Sequence, residues 1–255
     1  MPSDSIFDWR GSTRNPNDRA VRQALDQVLR EKTSFDRRSR DRCIVDFCTG
    51  KSVLDIGAAG HLPDPREQSG WEHGLIRGVA SKVVAVDLDQ ENCDRLNALG
   101  FDFRCIDATS EAYLGERFDC IFAGDVIEHV NDPVAFLVFA KRHLKESGSL
   151  LLTTPNPFAR RYRASRSKGG YLYVMANLEH TTWFSTTTML EVAARAELCL
   201  TAVRWPLLKK RGGGFKDVIK VWWWRAIFAI SSPENWKSEY MFELRHPDSV
   251  DARRN

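Results

Sequence analysis

Short apolar runs alternate with longer amphipathic stretches along most of the chain. Residues 52–56, 82–87, 103–106, 118–123 and 149–154 are runs of mostly apolar residues, with the length and make-up of strands buried on both faces. Between them lie segments with helical spacing. After Asn15-Pro16-Asn17-Asp18, apolar residues recur at Ala20, Val21, Ala24, Leu25, Val28 and Leu29. Further helices are predicted at about 41–47, 71–80, 90–99 (stopped by Gly100), 133–144 (with Pro133 in its first turn) and 186–197. Residues 61–70, rich in proline and polar side chains, read as a loop. Two more strands are predicted at 199–205 and 239–244. This alternation predicts an α/β fold: a doubly wound, Rossmann-like parallel sheet with helices on both faces.

The strand ends carry the first chemical signal. The first run opens into Gly57-Ala58-Ala59-Gly60, where small side chains let a ligand approach the backbone and a following helix would point free N–H groups at it. The second ends in Asp87, placed to accept both hydroxyls of a ribose. The third ends in Asp107-Ala108 and the fourth in Gly124-Asp125. Small and acidic residues on one rim of a parallel sheet point to a nucleoside site.

On these residues the chain resembles the class I methyltransferases that use S-adenosyl-L-methionine, from about Ser52 to Leu200. The resemblance is carried by VLDIGAAG (53–60), AVDLD (85–89), Asp107-Ala108, FDCIFAGDVIEHVNDP (118–133), GSLLLTTPNP (148–157) and EHTTWFS (179–185). The last three motifs look like those of the bacterial branch that methylates oxygens of small molecules, quinone precursors and glycans. The resemblance implies a seven-stranded sheet with the last strand antiparallel. It places Gly57, Ala58 and Gly60 near the methionine part of the cofactor, Asp87 and Leu88 at the ribose, and Asp107 and Ala108 at the adenine, with Asp55 and Gly124 completing the set. One departure stands out: the family turn usually reads Gly-x-Gly-x-Gly, and here Ala59 and His61 replace its second and third glycines.

Composition narrows the setting. At 255 residues and 43% hydrophobic, the chain reads as one domain: N-terminal helices over 1–50, a cofactor-binding core over 51–205, a lid-like insertion over 206–238 and a last strand over 239–246. Six cysteines without a Cys-x-x-Cys pair read as free, mostly buried thiols of a reducing cytoplasm. No secretory signal and no run long enough to span a membrane is seen. The net charge of +3 is uneven: residues 156–220 hold twelve basic and four acidic side chains, which suits a phosphorylated or acidic substrate, an anionic membrane surface or nucleic acid. Within 209–230, a basic glycine-rich stretch precedes Val221-Trp222-Trp223-Trp224, which reads either as a buried lid over the substrate or as a peripheral membrane contact.

Transfer of a methyl group to a hydroxyl calls for a base, because an alcohol is a poor nucleophile until deprotonated. Asp125, Glu128 and His129 sit at i, i+3 and i+4, and His180 belongs to the other family-like motif. Two readings stay open. In one, His129 is the base, with His180 approaching across the pocket and Asp125 or Glu128 orienting the ring. In the other, Asp125, Glu128, His129 and His180 ligate Mg²⁺, Mn²⁺ or Zn²⁺, which would lower the acceptor's pKa. The acceptor expected is a small molecule or glycan. A metal-assisted RNA 3′-terminal 2′-O-methyltransferase and a non-catalytic cofactor-binding module are the alternatives. His143, beside Lys141, Arg142 and Lys145, reads as solvent-facing.

Overall fold

The computed structural model describes residues 6, 8–60, 70–162, 177–208 and 215–247. His61, part of the basic region 156–220 (residues 163–176) and the basic glycine-rich stretch 209–214 lie outside them. In chain order the elements are α1 (Arg19–Lys32), β1 (Thr33–Ser39), α2 (Arg40–Cys48), β2 (Ser52–Ile56), α3 (Glu72–Arg77), β3 (Lys82–Asp87), α4 (Gln90–Ala98), β4 (Phe103–Cys105), β5 (Phe118–Gly124), α5 (Pro133–His143), β6 (Leu144–Pro155), α6 (Thr186–Arg195), β7 (Cys199–Leu208), α7 (Phe215–Ile230) and β8 (Glu239–Arg245).

All eight strands form one sheet in the order β1-β7-β8-β6-β5-β2-β3-β4. β8 runs antiparallel to both its neighbours, β6 and β7, and every other pairing is parallel. The seven expected strands are therefore joined by an eighth. β1 lies within the region read as helices and pairs with β7 from Thr33↔Val203 onward. Its sequence, TSFDRRS, holds one apolar side chain, so it carries no strand-like alternation. It is held at the sheet edge by backbone hydrogen bonds.

Each central strand is apolar because both its faces are covered. On one face Leu54, Ile56, Val84, Val86 and Ile121 pack under α5 and α6 through Phe136, Leu137, Phe139 and Met189. On the other, Val53, Cys120 and Phe122 pack against α2 and α3 through Ile44, Cys48 and Ile76. Helix starts are fixed by side-chain caps that satisfy the first free N–H groups: Asp18 for α1, Asp132 (followed by Pro133) for α5, and Ser185 with Thr188 for α6. Five cysteines are buried, whereas Cys105 is exposed.

His143 is fully buried rather than solvent-facing. Its Nδ1 hydrogen-bonds the Phe139 carbonyl at 2.9 Å, and its Nε2 accepts the Leu114 N–H at 3.0 Å. Burial lowers its pKa. The basic residues around it suggested an exposed helix face, but the ring lies tilted against buried Phe139 and is covered by the stacked ring of Tyr113.

Candidate active site

The carboxyl ends of β2, β3 and β5 surround two adjoining cavities. The larger, ≈ 420 Å³, has Gly57, Asp87, Leu88, Asp107, Ala108 and His129 in its wall, with Asp125 and Glu179 beside them. The smaller, ≈ 230 Å³, is bounded by Arg40, Asp55, Ala58, Glu72 and Gly124, among others. Ile56, Gly57 and Gly60 belong to both, so the two cavities meet astride the glycine turn. Every residue assigned to the cofactor from the sequence lies on one wall or the other.

The turn has little room to spare. Gly57 has φ +75°, a left-handed conformation that L side chains rarely adopt, and a Cβ there would stand 2.3 Å from Val126 Cγ2. Ala59, the departure from the family's glycine, is completely buried and packs with Ala85, Cys93, Leu96 and Phe103. Its methyl points into the core and lines neither cavity, while its N–H donates to Asp87 Oδ2 at 2.9 Å. Asp87 Oδ1 accepts the Asp89 N–H at 3.1 Å, so the carboxylate is held from both sides by backbone.

A charged cluster that the sequence did not reveal closes the smaller cavity. Arg40, at the start of α2, forms ion pairs with Glu72, Asp125 and Glu239. Burial works against the guanidinium's charge, but the Glu239, Glu72 and Asp125 carboxylates outweigh it and raise its pKa. Burial likewise pushes Glu72 up to about 7, against the pull of Arg40. Asp55 is buried beside His73, whose Nδ1 lies 2.8 Å from Asp55 Oδ2; desolvation raises the Asp55 pKa and His73 moderates it.

Asp125 does not gather with Glu128 and His129, as the i, i+3, i+4 spacing predicted. The chain after β5 forms a single turn, closed by the His129 N–H donating to the Val126 carbonyl at 2.9 Å, and Asp125 precedes it in a left-handed conformation with φ 53°. Its side chain turns to Arg40 (3.0 Å) and accepts from the Thr153 hydroxyl (3.2 Å). Asp125 therefore lines the cavity as Arg40's partner, not as a fourth member of the histidine group.

Glu128, His129 and His180 do come together, with potential donor atoms within 4.8 Å of one another. The distant His180 is brought in by backbone: the Thr181 and Thr182 N–H groups both donate to the Glu128 carbonyl, at 3.0 and 3.2 Å. The His180 ring meets His129 edge-on at 4.6 Å between centroids and stands behind it, absent from the cavity wall. Glu128 is completely buried. Its Oε2 accepts from the Thr154 hydroxyl at 2.9 Å, while Oε1 has no hydrogen-bond partner and lies 3.9 Å from His180 Nε2, beyond hydrogen-bond reach. Burial, then the negative charge of Asp125, pushes the Glu128 carboxyl up to about 8. Burial and the neighbouring His129 lower the pKa of His180. Glu179, well exposed, stands 3.9 Å from His129 Nδ1.

This geometry agrees with what the chain resembles. A family profile described as a methyltransferase domain matches residues 19–203. The chain belongs to this family. It is a methyltransferase domain of the S-adenosylmethionine-dependent, class I fold. Curated relatives include a ubiquinone biosynthesis O-methyltransferase of Parvibaculum lavamentivorans, 32% identical over 135 residues, covering 50% of this chain and 49% of that protein. Another of the same name, from Rhodopseudomonas palustris, is 36% identical over 123 residues, 48% of this chain and 46% of its own length. The match thus spans about half the length of these relatives. Among solved structures, a methyltransferase-like protein of Bacillus halodurans superposes with a TM-score of 0.53 at 16% identity, covering 82% of this chain and 99% of that one. A SAM-dependent methyltransferase of Archaeoglobus fulgidus gives 0.52 at 13% identity, with 88% and 93% covered. At these identities the structures speak for the fold alone.

The methyltransferase's basic segment is largely engaged with its own chain where it is described. Arg204 pairs with Glu243, Arg195 with Glu191, and Arg160 lies over the Trp236 ring. α7 does not form the buried lid that its apolar sequence suggested. No described α7 residue lines either cavity, and Trp222 and Trp223 are 67% and 54% exposed. No helix among the described residues is long and apolar enough to cross a membrane.

Proposed function

We propose that this methyltransferase transfers a methyl group to a hydroxyl oxygen of a small polar acceptor, with His129 as the general base. The observation that carries this reading is the position of His129, in the wall of the same cavity that Gly57 and Asp87 line. Bound S-adenosylmethionine supplies an electrophilic methyl on a sulfonium, and the protein's work is to hold an acceptor in line and take its proton. Asp87, fixed by two backbone N–H groups, keeps free lone pairs for ribose hydroxyls, and Asp107 and Ala108 lie beyond it where a purine would rest. Across the glycine turn, Arg40 and the acids around it offer both signs of charge to an amino-acid end group. The curated relatives, named as O-methyltransferases of ubiquinone biosynthesis, favour oxygen over nitrogen as the atom modified.

His180 supports the base. Its pKa lowered by burial, it packs its ring against His129 and limits the rotation of that side chain. A second reading has its own support: the unpartnered, buried Glu128 Oε1, 3.9 Å from His180 Nε2, is the kind of atom a divalent cation would engage, with His129 as third donor. In that reading the three residues would hold the ion and lower the pKa of an acceptor oxygen.

His129→Ala should lower kcat by a factor of about 10²–10⁴ while leaving S-adenosylhomocysteine affinity, read by calorimetry, nearly unchanged. Turnover would be followed by radiolabel transfer to a panel of phenolic and sugar hydroxyls. Full turnover by the variant would refute His129 as base, and loss of wild-type turnover in EDTA would move the assignment to the metal reading.

A further inference from the structure

We propose that the outward face of α7 is a docking surface for an anionic phospholipid bilayer. The helix runs from Phe215 to Ile230 and is fixed to the molecule by one side only. On that side Val221 is buried, Phe228 stacks on Phe35 of β1 at 5.0 Å, and Trp224 stacks on Phe228 at 5.1 Å beneath the Lys237 ammonium. The opposite side is apolar and uncovered. Ile219, Trp222, Trp223 and Ile230, at helical spacing, are 55%, 67%, 54% and 89% exposed, and Val218 beside them is 53% exposed. Isolated exposed apolar residues are ordinary, but two indoles and three branched aliphatics along one helix face are a patch.

The charges around the patch name its occupant. At about 100° per residue, Lys220 falls next to Trp223 on one margin of the stripe and Arg225 next to Val218 on the other, and both are exposed. The helix's single carboxylate, Asp217, falls on the packed side. An apolar stripe bordered by cations on both edges suits a plane in which acyl chains lie beneath lipid phosphates. It suits a second copy of this chain poorly. Pairing the same face across a two-fold axis would set Lys220 and Arg225 against their counterparts, with no carboxylate of the helix facing outward to offset them. At 16 residues the helix is too short to span a bilayer, so it would lie in the interface, with indole rings at headgroup depth. The segment that contains α7 leaves and rejoins the sheet at the rim that carries the cavities. β7 ends at Leu208 ahead of it, and β8 begins after it at Glu239, which pairs with Arg40.

The test uses the full-length protein with phosphatidylcholine vesicles, with and without phosphatidylglycerol. Co-sedimentation is expected with the anionic vesicles, weakening with salt and accompanied by a blue shift of tryptophan emission and quenching by acyl-chain bromines. Lys220→Gln with Arg225→Gln should reduce that partitioning roughly thirtyfold. Trp222→Gln with Trp223→Gln should reduce it roughly tenfold or more, with the far-ultraviolet circular dichroism of the wild type retained. No sedimentation with either vesicle would overturn the proposal. So would equal binding to neutral and anionic vesicles, or a dimer by light scattering that the wild-type protein forms and the tryptophan variant does not.

Discussion

Glu128 shows how far a single residue's surroundings can displace its chemistry. It is fully buried, one oxygen accepts from Thr154, and the carboxyl titrates at about 8 against an ordinary 4.5. Near neutral pH it therefore carries its proton, and ionisation there means putting an unpaired charge in the interior. The sign of the linkage follows: the folded state binds this proton more tightly than the unfolded chain does. The group costs nothing below about pH 4.5, costs progressively more as pH rises, and costs its full amount above about pH 8. Glu128→Gln keeps an acceptor for Thr154 without the titration. Denaturant unfolding should find variant and wild type alike in acid, with the variant gaining on the wild type by up to about 5 kcal/mol above pH 8. A difference that does not change with pH would refute this account. Burial also lowers the pKa of His180, which works against a positive charge beside the ionised form.

At the scale of elements, the end of β6 is held by one side chain. Asn156 is completely buried; its Nδ2 donates to the Glu234 and Lys237 carbonyls at 2.7 and 2.6 Å, and its Oδ1 accepts the Phe158 N–H at 2.9 Å. It thereby clamps the segment leading into β8 against β6, and Glu234 returns the tie by accepting the Thr186 N–H at the start of α6. Asn156→Ala would leave these groups without partners and should lower stability by about 2–4 kcal/mol in denaturant melts. Asn156→Asp should not restore it, because a carboxylate has no N–H to give the two carbonyls. The sequence marked this place only as a strand end. Strands β2, β3, β5 and β6 were legible because burial on both faces forces apolar residues into them, and the rim acids were legible because they stand directly at those strands' ends. β1 was not, since an edge strand with a single apolar residue needs only backbone pairing. The Arg40 cluster was illegible for a different reason. Its four members come from α2, α3, β8 and the end of β5, and only the strand order brings them within reach.

For the molecule as a whole, a ligand seated across both cavities would bridge Arg40 of α2, the glycine turn after β2, Asp87 of β3 and Asp107 beyond β4. Binding confined to the folded state adds about 2.7 kcal/mol of stability at a hundred times Kd. For a chain of this size that corresponds to a melting temperature higher by about 5–10 °C. Differential scanning calorimetry with S-adenosylhomocysteine should show this rise, growing with the logarithm of concentration; an unmoved transition would count against the cavities as the cofactor site.

Among the described strands, β8 alone meets the rim that carries the cavities with its beginning instead of its end. The excursion ahead of it therefore starts and finishes on that rim, while the opposite edge of the sheet is untouched. A lineage can re-surface the outward face of this excursion while the apolar clusters over the central strands keep their contacts. New acceptors or new cellular addresses can thus be acquired while the apparatus that grips the methyl donor stays as it was.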